Sequence, residues 1–325
     1  MDAVLSIRDL AVEFKTDTGL TRALVDVGFD VPRGEVTAIV GESGSGKSVT
    51  ANCIMRLIQP PGRIVAGTIE FAPERALSSE GQAPRAPRLR APPFDIVSLP
   101  NRDPRLQELH GGLISMVFQE PMTALSPVYT VGNQVAEAIL CHRDVSRRQA
   151  WRESAEMLER VGLDDIERRM RMYPFEFSGG MRQRVVIAMA LVCHPEVLIC
   201  DEPTTALDVT IQAEILTLIK DLQRDLGNSV IFITHDLGVV AQIADQVVVM
   251  YQGRVLEIGT VRQVLKDPVH PYTRGLLAAI PGLAPKGQPL ATIGSVVGDA
   301  DIETPHPLRR LADGRQVSMP QDSRG

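Results

Sequence analysis

A glycine-rich loop between a predicted strand and a predicted helix has the composition of a phosphate-binding site. The apolar run at 36–40 is typical of a buried parallel strand, and a helix is predicted at 47–58. Glycines in the loop would let the backbone adopt positive φ and approach phosphates without a Cβ in the way. Its N–H groups and the helix N-terminus would then bind the anion. The loop residues are Gly41, Glu42, Ser43, Gly44, Ser45, Gly46, Lys47 and Ser48.

Two side chains of this loop have specific roles in a nucleoside triphosphate site. Lys47 would supply a compact positive charge to the β- and γ-phosphates, and the Ser48 hydroxyl would be a ligand of Mg²⁺. By itself the loop predicts only that the chain binds phosphate; ATP as the nucleotide is implied by the resemblance described below.

A pair of acidic residues follows a second apolar strand, predicted at 197–200. Burying two carboxylates without compensation would be costly, so Asp201 and Glu202 need a reason to be there. In a phosphoryl-transfer site Asp201 would hold Mg²⁺ through water, and Glu202 would be the base that orients the attacking water. The alternative is a pair of residues that only caps the next turn.

Composition limits the class of protein. The chain has 325 residues and a net charge of −6, which argues against nucleic acid as a partner. Its longest fully apolar run has nine residues, whereas a membrane-spanning helix needs about 20. The first residues lack the basic and apolar regions of a secretory signal. The four scattered cysteines are expected to be buried, reduced thiols.

Three elements occur along the chain in this order: the glycine-rich loop, the string at 177–181 (FSGGM) and the strand that ends in the acidic pair. With these three elements, the chain resembles the ATP-binding subunit of an ABC transporter. The resemblance implies an α/β fold: a P-loop NTPase cassette with an antiparallel β subdomain, a RecA-like core and an inserted helical subdomain. It also implies that one copy cannot complete a catalytic site by itself.

The resemblance assigns further site residues. Gln119 matches the glutamine that reaches Mg²⁺ and the attacking water and senses the transmembrane partner. His235 follows the apolar strand at 230–234, where the family has a histidine that contacts the γ-phosphate, although a lone histidine is often structural. The signature residues Ser178, Gly179 and Gly180 would bind the γ-phosphate held by the other subunit.

Two more assignments rest on the resemblance. Asp208 matches the loop that crosses the dimer interface. Phe14 lies where an aromatic ring stacks on adenine, but an outward-pointing strand phenylalanine would explain it as well.

Three longer strings resemble the oligopeptide/dipeptide import branch, in particular its D-type subunit. They are 177–185 (FSGGMRQRV), 119–127 (QEPMTALSP) and 270–277 (HPYTRGLL). The resemblance covers about residues 3–282 and implies an ATP hydrolase that drives uptake of peptides, nickel or oligosaccharides. Its implied location is the cytoplasmic face of the cell membrane. Its implied partners are two permeases, a second cassette (an F-type chain or a copy of itself) and, indirectly, an extracytoplasmic solute-binding protein.

The resemblance and the composition together predict the domain organisation. Residues 1–282 would form the cassette, with the helical subdomain at about 121–176 and a proline-rich, mobile insertion at about 73–93. The insertion's arginines could meet anionic lipid or a permease loop, or be solvated. Residues 283–325 would form a partly disordered extension, which lacks the cysteines that ligate an iron–sulfur cluster in many members of the branch.

Other protein classes share some of these motifs. Soluble ABC-type ATPases of DNA repair, chromosome structure or translation carry long heptad arms, zinc cysteines or two cassettes, which this sequence lacks. An unrelated P-loop kinase or GTPase would not explain Ser178, Gly179, Gly180 or His235. A soluble ABC-type ATPase therefore stays as the alternative to an importer subunit.

Overall fold

The structure is a computed structural model that describes residues 2–17, 19–74, 92–119, 124–205, 207–279 and 306–320. The chain forms two compact units. Unit one consists of Met1–Leu5, Val31–Gly34 and Glu70–Ile231. Unit two consists of Ser6–Asp30, Glu35–Ile69 and Phe232–Gly325.

Strands and helices alternate along much of the chain. The strands are β1 (Ala3–Thr16), β2 (Gly19–Pro32), β3 (Val36–Val40), β4 (Gly62–Phe71), β5 (Phe94–Asp95), β6 (Ile114–Val117), β7 (Val197–Asp201), β8 (Ser229–Thr234), β9 (Gln246–Tyr251), β10 (Arg254–Thr260), β11 (Leu308–Arg310) and β12 (Gln316–Ser318). The helices are α1 (Lys47–Ile54), α2 (Pro104–Leu109), α3 (Val131–His142), α4 (Arg147–Arg160), α5 (Ile166–Arg169), a 3₁₀ turn (Pro174–Glu176), α6 (Gly179–Leu191), α7 (Val209–Leu226), α8 (Leu237–Ile243), α9 (Val261–Lys266) and α10 (Pro271–Ala278).

Unit two contains parts of two sheets. In one of them β2, β1 and β4 lie side by side in that order. In the other, the order is β11, β12, β10, β9 and β3. Strand β3 runs parallel to β9, with Val40 opposite Val249, whereas β9, β10, β12 and β11 are joined by antiparallel pairings. The parallel pair carries the phosphate loop at its carboxyl end, because β3 ends at Val40.

The core of unit two is packed on the second sheet. Every residue of β3 is buried, as expected of a strand covered on both faces. Apolar side chains of β3, β9 and β10 pack with those of α8, α9 and α10; they include Val40, Val240, Val249, Leu256, Val264 and Tyr272.

Unit one combines a short parallel pair with a group of helices. Strands β6 and β7 pair in parallel, with Ile114 opposite Val197. Helices α3, α4 and α6 pack against one another. Helix α4 is capped at its start, since the Ser146 hydroxyl accepts a hydrogen bond from the Gln149 amide at 3.2 Å.

The long helix α7 shows why its sequence predicts a buried face. Ile215, Ile219 and Leu222 point into the protein with at most 3% exposure, as the spacing of apolar residues predicts. The helix ends at Gly227, whose φ of 67° is the left-handed conformation that glycine adopts readily.

Some predictions differ from the structure or lie outside it. Helix α1 ends at Ile54 rather than at residue 58, and Arg56 follows with a φ of 52°. Cys141 is exposed, whereas the other three cysteines are buried as predicted. The predicted insertion at 73–93 lies mostly on residues 75–91, which are outside the described residues. Residues 283–305 and 321–325 of the predicted C-terminal extension are also outside them.

Candidate functional site

The three glycines of the phosphate loop are required for different physical reasons. Their φ angles are positive: 154° at Gly41, 79° at Gly44 and 99° at Gly46. A Cβ at Gly41 would lie 2.1 Å from the carbonyl oxygen of Met250, and one at Gly46 would lie 2.7 Å from Leu24 Cδ2. Nothing lies within 4 Å of the corresponding position at Gly44, so only its backbone conformation favours glycine. The loop is therefore packed at both ends and open in the middle.

The ammonium group of Lys47 is held by the loop itself. Its Nζ donates to the carbonyl oxygens of Gly41 at 2.9 Å and Glu42 at 2.7 Å, and to the Ser45 hydroxyl at 3.4 Å. The Lys47 side chain is only 5% exposed. A positive charge is thus fixed inside a loop whose amides can bind an anion.

The surface of the loop matches this chemistry. Glu42, Ser43 and Gly44 are exposed, and Ser48 is half-buried in the first turn of α1. The N-terminus of α1 starts at Gly46, which provides no side-chain cap. Uncapped N–H groups at a helix start are a favourable place for phosphate oxygens.

In unit one, the ends of two parallel strands bring a glutamine to a carboxylate. Val117 lies opposite Cys200, so the carboxyl ends of β6 and β7 share an edge. Gln119 follows β6 and Glu202 follows β7, and Gln119 Nε2 donates to Glu202 Oε2 at 3.3 Å. Asp201, the last residue of β7, is buried with 6% exposure. Two residues that are 83 positions apart are therefore joined by strand pairing.

A second hydrogen bond orients the same carboxylate. Thr205 Oγ1 donates to Glu202 Oε2 at 2.9 Å. Glu202 itself has a φ of 46°, an uncommon backbone conformation for a residue with a side chain. Sequence reasoning did not single out Thr205, although a hydroxyl three residues after an acidic residue is a visible signal.

The signature residues form the exposed start of a helix. Ser178 is the N-cap of α6, and its hydroxyl accepts a hydrogen bond from the Met181 amide at 3.4 Å. Ser178 and Gly179 are exposed. A Cβ at Gly180 would lie 2.8 Å from Ile211 Cγ2, so the signature packs tightly against α7. The exposed N–H groups of this 13-residue helix can bind an anion.

Asp208 has a structural role in addition to the role that its sequence position predicts. Its Oδ1 accepts a hydrogen bond from the Ile211 amide at 3.0 Å, which caps α7. Its neighbour Val209 is 84% exposed. An apolar side chain is thus exposed at the capped start of α7, the helix against which Gly180 packs.

His235 lies directly after β8 and is exposed. The next residue, Asp236, caps α8 by accepting hydrogen bonds from the amides of Gly238 at 2.7 Å and Val239 at 3.4 Å. The cap fixes the backbone beside His235, so the imidazole extends from a defined strand end.

Phe14 is half-buried on β1. A Cβ at Gly62 would lie 2.5 Å from Phe14 Cε1, so the ring lies directly on the backbone of β4. The ring is therefore in contact with the protein rather than fully outward, and part of it is available to a ligand.

Tyr272 is a residue at the phosphate loop that sequence reasoning did not place there. Its hydroxyl accepts a hydrogen bond from the backbone N–H of Glu42 at 3.3 Å. The string at 270–277 is one of the three that resemble the oligopeptide/dipeptide import branch, but nothing in its residue types indicated a contact with the phosphate loop.

The predicted site residues thus fall into two groups. Unit two carries the phosphate loop, His235 and Phe14. Unit one carries Gln119, Asp201, Glu202, Ser178, Gly179, Gly180 and Asp208. Among the described residues, no helix is both long enough and apolar enough to cross a membrane.

Comparison with protein families gives two matches. Residues 24–205 match the family described as ABC transporter. Residues 256–303 match the oligopeptide/dipeptide transporter, C-terminal region. The second match includes the string at 270–277 that contains Tyr272.

Individual relatives agree with these matches. The chain is 45% identical to the oligopeptide transport ATP-binding protein OppD of Bacillus subtilis (strain 168), over 97% of this chain and 87% of the relative. It is 47% identical to the dipeptide transport ATP-binding protein DppD of the same organism, over 92% of this chain and 83% of the relative.

A solved structure supports the fold. The ATP-binding cassette MJ0796, in a dimeric post-hydrolysis state bound to ADP and Pi, has a TM-score of 0.64 and 25% identity. The likeness covers 79% of this chain and 99% of that one. The predicted fold class is confirmed, and nothing supports the soluble ABC-type ATPase of DNA repair or translation. The chain belongs to the ABC transporter family, as an ATP-binding and ATP-hydrolysing subunit of the oligopeptide/dipeptide import branch.

Proposed function

We propose that this chain hydrolyses Mg-ATP as one of two cassettes that power import of oligopeptides, dipeptides or a related solute. The observation that carries the proposal is the Glu202 carboxylate, which Gln119 and Thr205 hold at the end of β7. The names of the relatives support peptides as the solute class. Nickel and oligosaccharides are the other solutes that the branch resemblance implies.

The phosphate loop is the proposed binding site for the ATP phosphates. Its exposed middle offers backbone N–H groups, and Lys47 contributes a positive charge held by loop carbonyls. Phe14 is proposed to stack on the adenine, since its ring is fixed against Gly62 and is only half-buried. Binding of the nucleotide thus uses a preformed loop and one aromatic side chain.

Ser48, Gln119 and Asp201 are the residues proposed to hold Mg²⁺. Their hydroxyl, amide and carboxylate oxygens are the hard ligands that Mg²⁺ prefers, so the donor set fits the ion. When bound, Mg²⁺ supplies positive charge to the phosphate groups.

Glu202 is the proposed base of the hydrolysis step. Two hydrogen bonds to Oε2 fix the orientation of the carboxylate, so it can accept a proton from a water positioned beside it. Gln119 donates one of these bonds and is proposed to orient the same water. His235 is proposed to contact the γ-phosphate from the end of β8.

A second cassette is proposed to complete the site. The exposed start of α6, with Ser178, Gly179 and Gly180, would bind the γ-phosphate held by the partner. Asp208 and the exposed Val209 would lie at the interface. The dimeric state of the solved relative supports this arrangement. The partner is either an F-type chain or a second copy.

The helical subdomain, at about 121–176, is proposed to dock on the permeases. Tyr173 and Phe175 stack with ring centroids 5.6 Å apart, and Phe175 is 66% exposed. They line a cleft of about 670 Å³ together with Arg168 and Arg171. Exposed aromatic and arginine side chains are typical of protein interfaces. The chain would lie at the cytoplasmic face of the membrane, below two permeases that receive solute from an extracytoplasmic binding protein.

The substitution Glu202→Gln tests the catalytic assignment. The amide cannot accept a proton, so kcat for ATP hydrolysis should fall by about 100-fold or more. The Kd for Mg-ATP should stay within about threefold of wild type, because binding rests on the phosphate loop.

Glu214→Gln is the matched control. Glu214 makes an exposed ion pair with Arg184 on the same unit, and its loss should leave turnover unchanged. Near-normal hydrolysis by the Glu202→Gln variant would remove Glu202 from the catalytic role.

A further inference from the structure

Tyr272 links the C-terminal segment to the phosphate loop. It lies in the first turn of α10 and is fully buried in the core of unit two. Its ring tilts against that of Tyr251, with centroids 4.5 Å apart. Burial raises the pKa of the phenol, so the group is neutral at physiological pH. Its hydroxyl oxygen accepts the Glu42 N–H.

One peptide group of the loop is held at both ends. The Gly41 carbonyl and the Glu42 N–H belong to the same planar peptide. Lys47 Nζ donates to that carbonyl at 2.9 Å, and the N–H donates to Tyr272 at 3.3 Å. A charged donor on the carbonyl polarises the peptide and strengthens its N–H as a donor. Rotating this peptide would break both bonds at once.

The anchor of Tyr272 is independent of the loop. The buried carboxylate of Glu257 on β10 accepts hydrogen bonds from the amides of Val269 and His270, both at 3.0 Å. His270 Nδ1 then accepts the Tyr272 N–H at 3.1 Å. The turn before α10 is therefore fixed by strand β10, and the phenol reaches the loop from a rigid base.

We propose that Tyr272 is a positioning residue of the phosphate loop, which locks the peptide between Gly41 and Glu42 and so places the Lys47 ammonium for the nucleotide phosphates. The inference rests on the proposed function, because it assigns the loop to ATP. Without the phenol, the loop would populate peptide orientations in which Lys47 loses the Gly41 carbonyl. ATP would then bind only the fraction of molecules whose loop has the orientation seen here, and the apparent Kd would rise.

Tyr272→Phe in the full chain removes one oxygen and preserves the ring. We expect the Kd and KM for Mg-ATP to rise about three- to tenfold, the range of one neutral hydrogen bond. The kcat at saturating ATP should stay within about twofold, because bound nucleotide restores the loop. Tyr251→Phe is the matched control, since the Tyr251 hydroxyl accepts a hydrogen bond from the side chain of the adjacent Gln252 at 3.1 Å. It should leave Kd and KM unchanged, and both variants should melt within a few degrees of wild type.

Hydrogen exchange resolved to single amides tests the link without any nucleotide. The Glu42 amide should be protected in the nucleotide-free wild-type chain and should exchange about three- to tenfold faster in Tyr272→Phe. An unprotected Glu42 amide in the wild type would overturn the inference before any variant is made.

The outcomes separate this inference from the proposed function. If the wild-type chain binds ATP and Tyr272→Phe binds it equally well, the positioning role is wrong and the proposed function stands. If the wild type itself neither binds nor hydrolyses ATP, the proposed function is wrong. A slower kcat with unchanged KM would contradict positioning for binding.

Discussion

Single residues of the phosphate loop differ in what a substitution would cost. Gly41 packs against the backbone of Met250, whereas Gly44 faces open space. Both have positive φ, so an added Cβ strains the backbone in each case. Only at Gly41 does it also collide with backbone that cannot move aside.

Alanine at each glycine separates the two effects. Gly44→Ala should cost about 1–2 kcal/mol of stability, the backbone cost of positive φ in a residue with a Cβ. Gly41→Ala should reduce stability by more than this and abolish ATP binding, because the added Cβ would force the loop away from Met250 on β9. Thermal unfolding and nucleotide titration of both variants check this. Equal stability of the two would show that the Met250 contact is not rigid.

His270 is the buried N-cap of α10, and its titration should make the stability of the fold decrease in acid. Burial and the nearby His306 lower the pKa of His270 to about 4. Because the unfolded imidazole titrates near 6.5, the unfolded chain binds more protons between these values. The contribution of the neutral His270 imidazole to the free energy of unfolding is therefore complete above pH 6.5 and is lost as the pH falls toward 4. His306 is the ionisable group whose charge lowers this pKa, and the Glu257 carboxylate accepts a hydrogen bond from the backbone amide of His270.

His270→Asn tests this contribution. The asparagine oxygen can cap the helix but does not titrate, so stability should change less with pH. Wild type should lose about 2 kcal/mol more than the variant between pH 7 and pH 5. Chemical denaturation at several pH values measures the difference, and His194→Asn, at an exposed position, is the control. Parallel pH profiles for wild type and His270→Asn would contradict it.

At the scale of elements, the C-terminal strands complete the sheet of unit two. Strand β12 pairs with β10, with Val317 opposite Glu257. Arg315 is 7% exposed and its guanidinium contacts Asp313 at 2.6 Å and Asp267 at 3.0 Å. It also lies 3.9 Å from the fully buried carboxylate of Glu257. The tail thus brings a cation to the carboxylate that fixes the turn before α10.

Removing this cation should destabilise the chain. Arg315→Met leaves the buried Glu257 carboxylate without a nearby positive charge. The free energy of unfolding should fall by about 3–5 kcal/mol, as it does when other buried ion pairs lose one partner. The double variant Arg315→Met with Glu257→Gln should recover part of the loss, because the buried charge is gone. Thermal unfolding of the single and double variants gives the coupling energy. Additive losses would show that the two side chains do not interact.

Sequence patterns predicted some elements well and others not at all. The predicted strands at 36–40, 197–200 and 230–234 correspond to β3, β7 and β8, because uninterrupted apolar runs suit buried strands. Strands β11 and β12 have only three residues each and are largely polar, so no alternation indicated them. Their place depends on pairing with β10, which is a tertiary contact.

In the candidate site too, some contacts that form only in the folded chain could not be predicted. The phosphate loop and the acidic pair could be found because their chemistry requires particular residue types at fixed spacing. Thr205 and Tyr272 were missed because their roles depend on what lies near them in space. The domain boundaries and the roles of the site residues stay predictions that experiments must decide.

At the scale of the whole molecule, the sequence contains one phosphate loop and one signature. The account therefore requires a second cassette, together with permeases that turn hydrolysis into transport. The relatives are named as oligopeptide and dipeptide transport proteins, and the similar solved cassette is dimeric. A chain that acted alone on a soluble target would contradict the account even if it hydrolysed ATP.

Affinity capture of the tagged full-length chain from gently solubilised native membranes tests this claim most directly. The account predicts recovery of two permeases and a second cassette, or a second copy of this chain, in a complex that hydrolyses ATP. The same complex captured with Glu202→Gln should have equal composition and a strongly reduced rate of ATP hydrolysis. Recovery of the chain with nucleic acid or ribosomes, and without any membrane protein, would contradict the account.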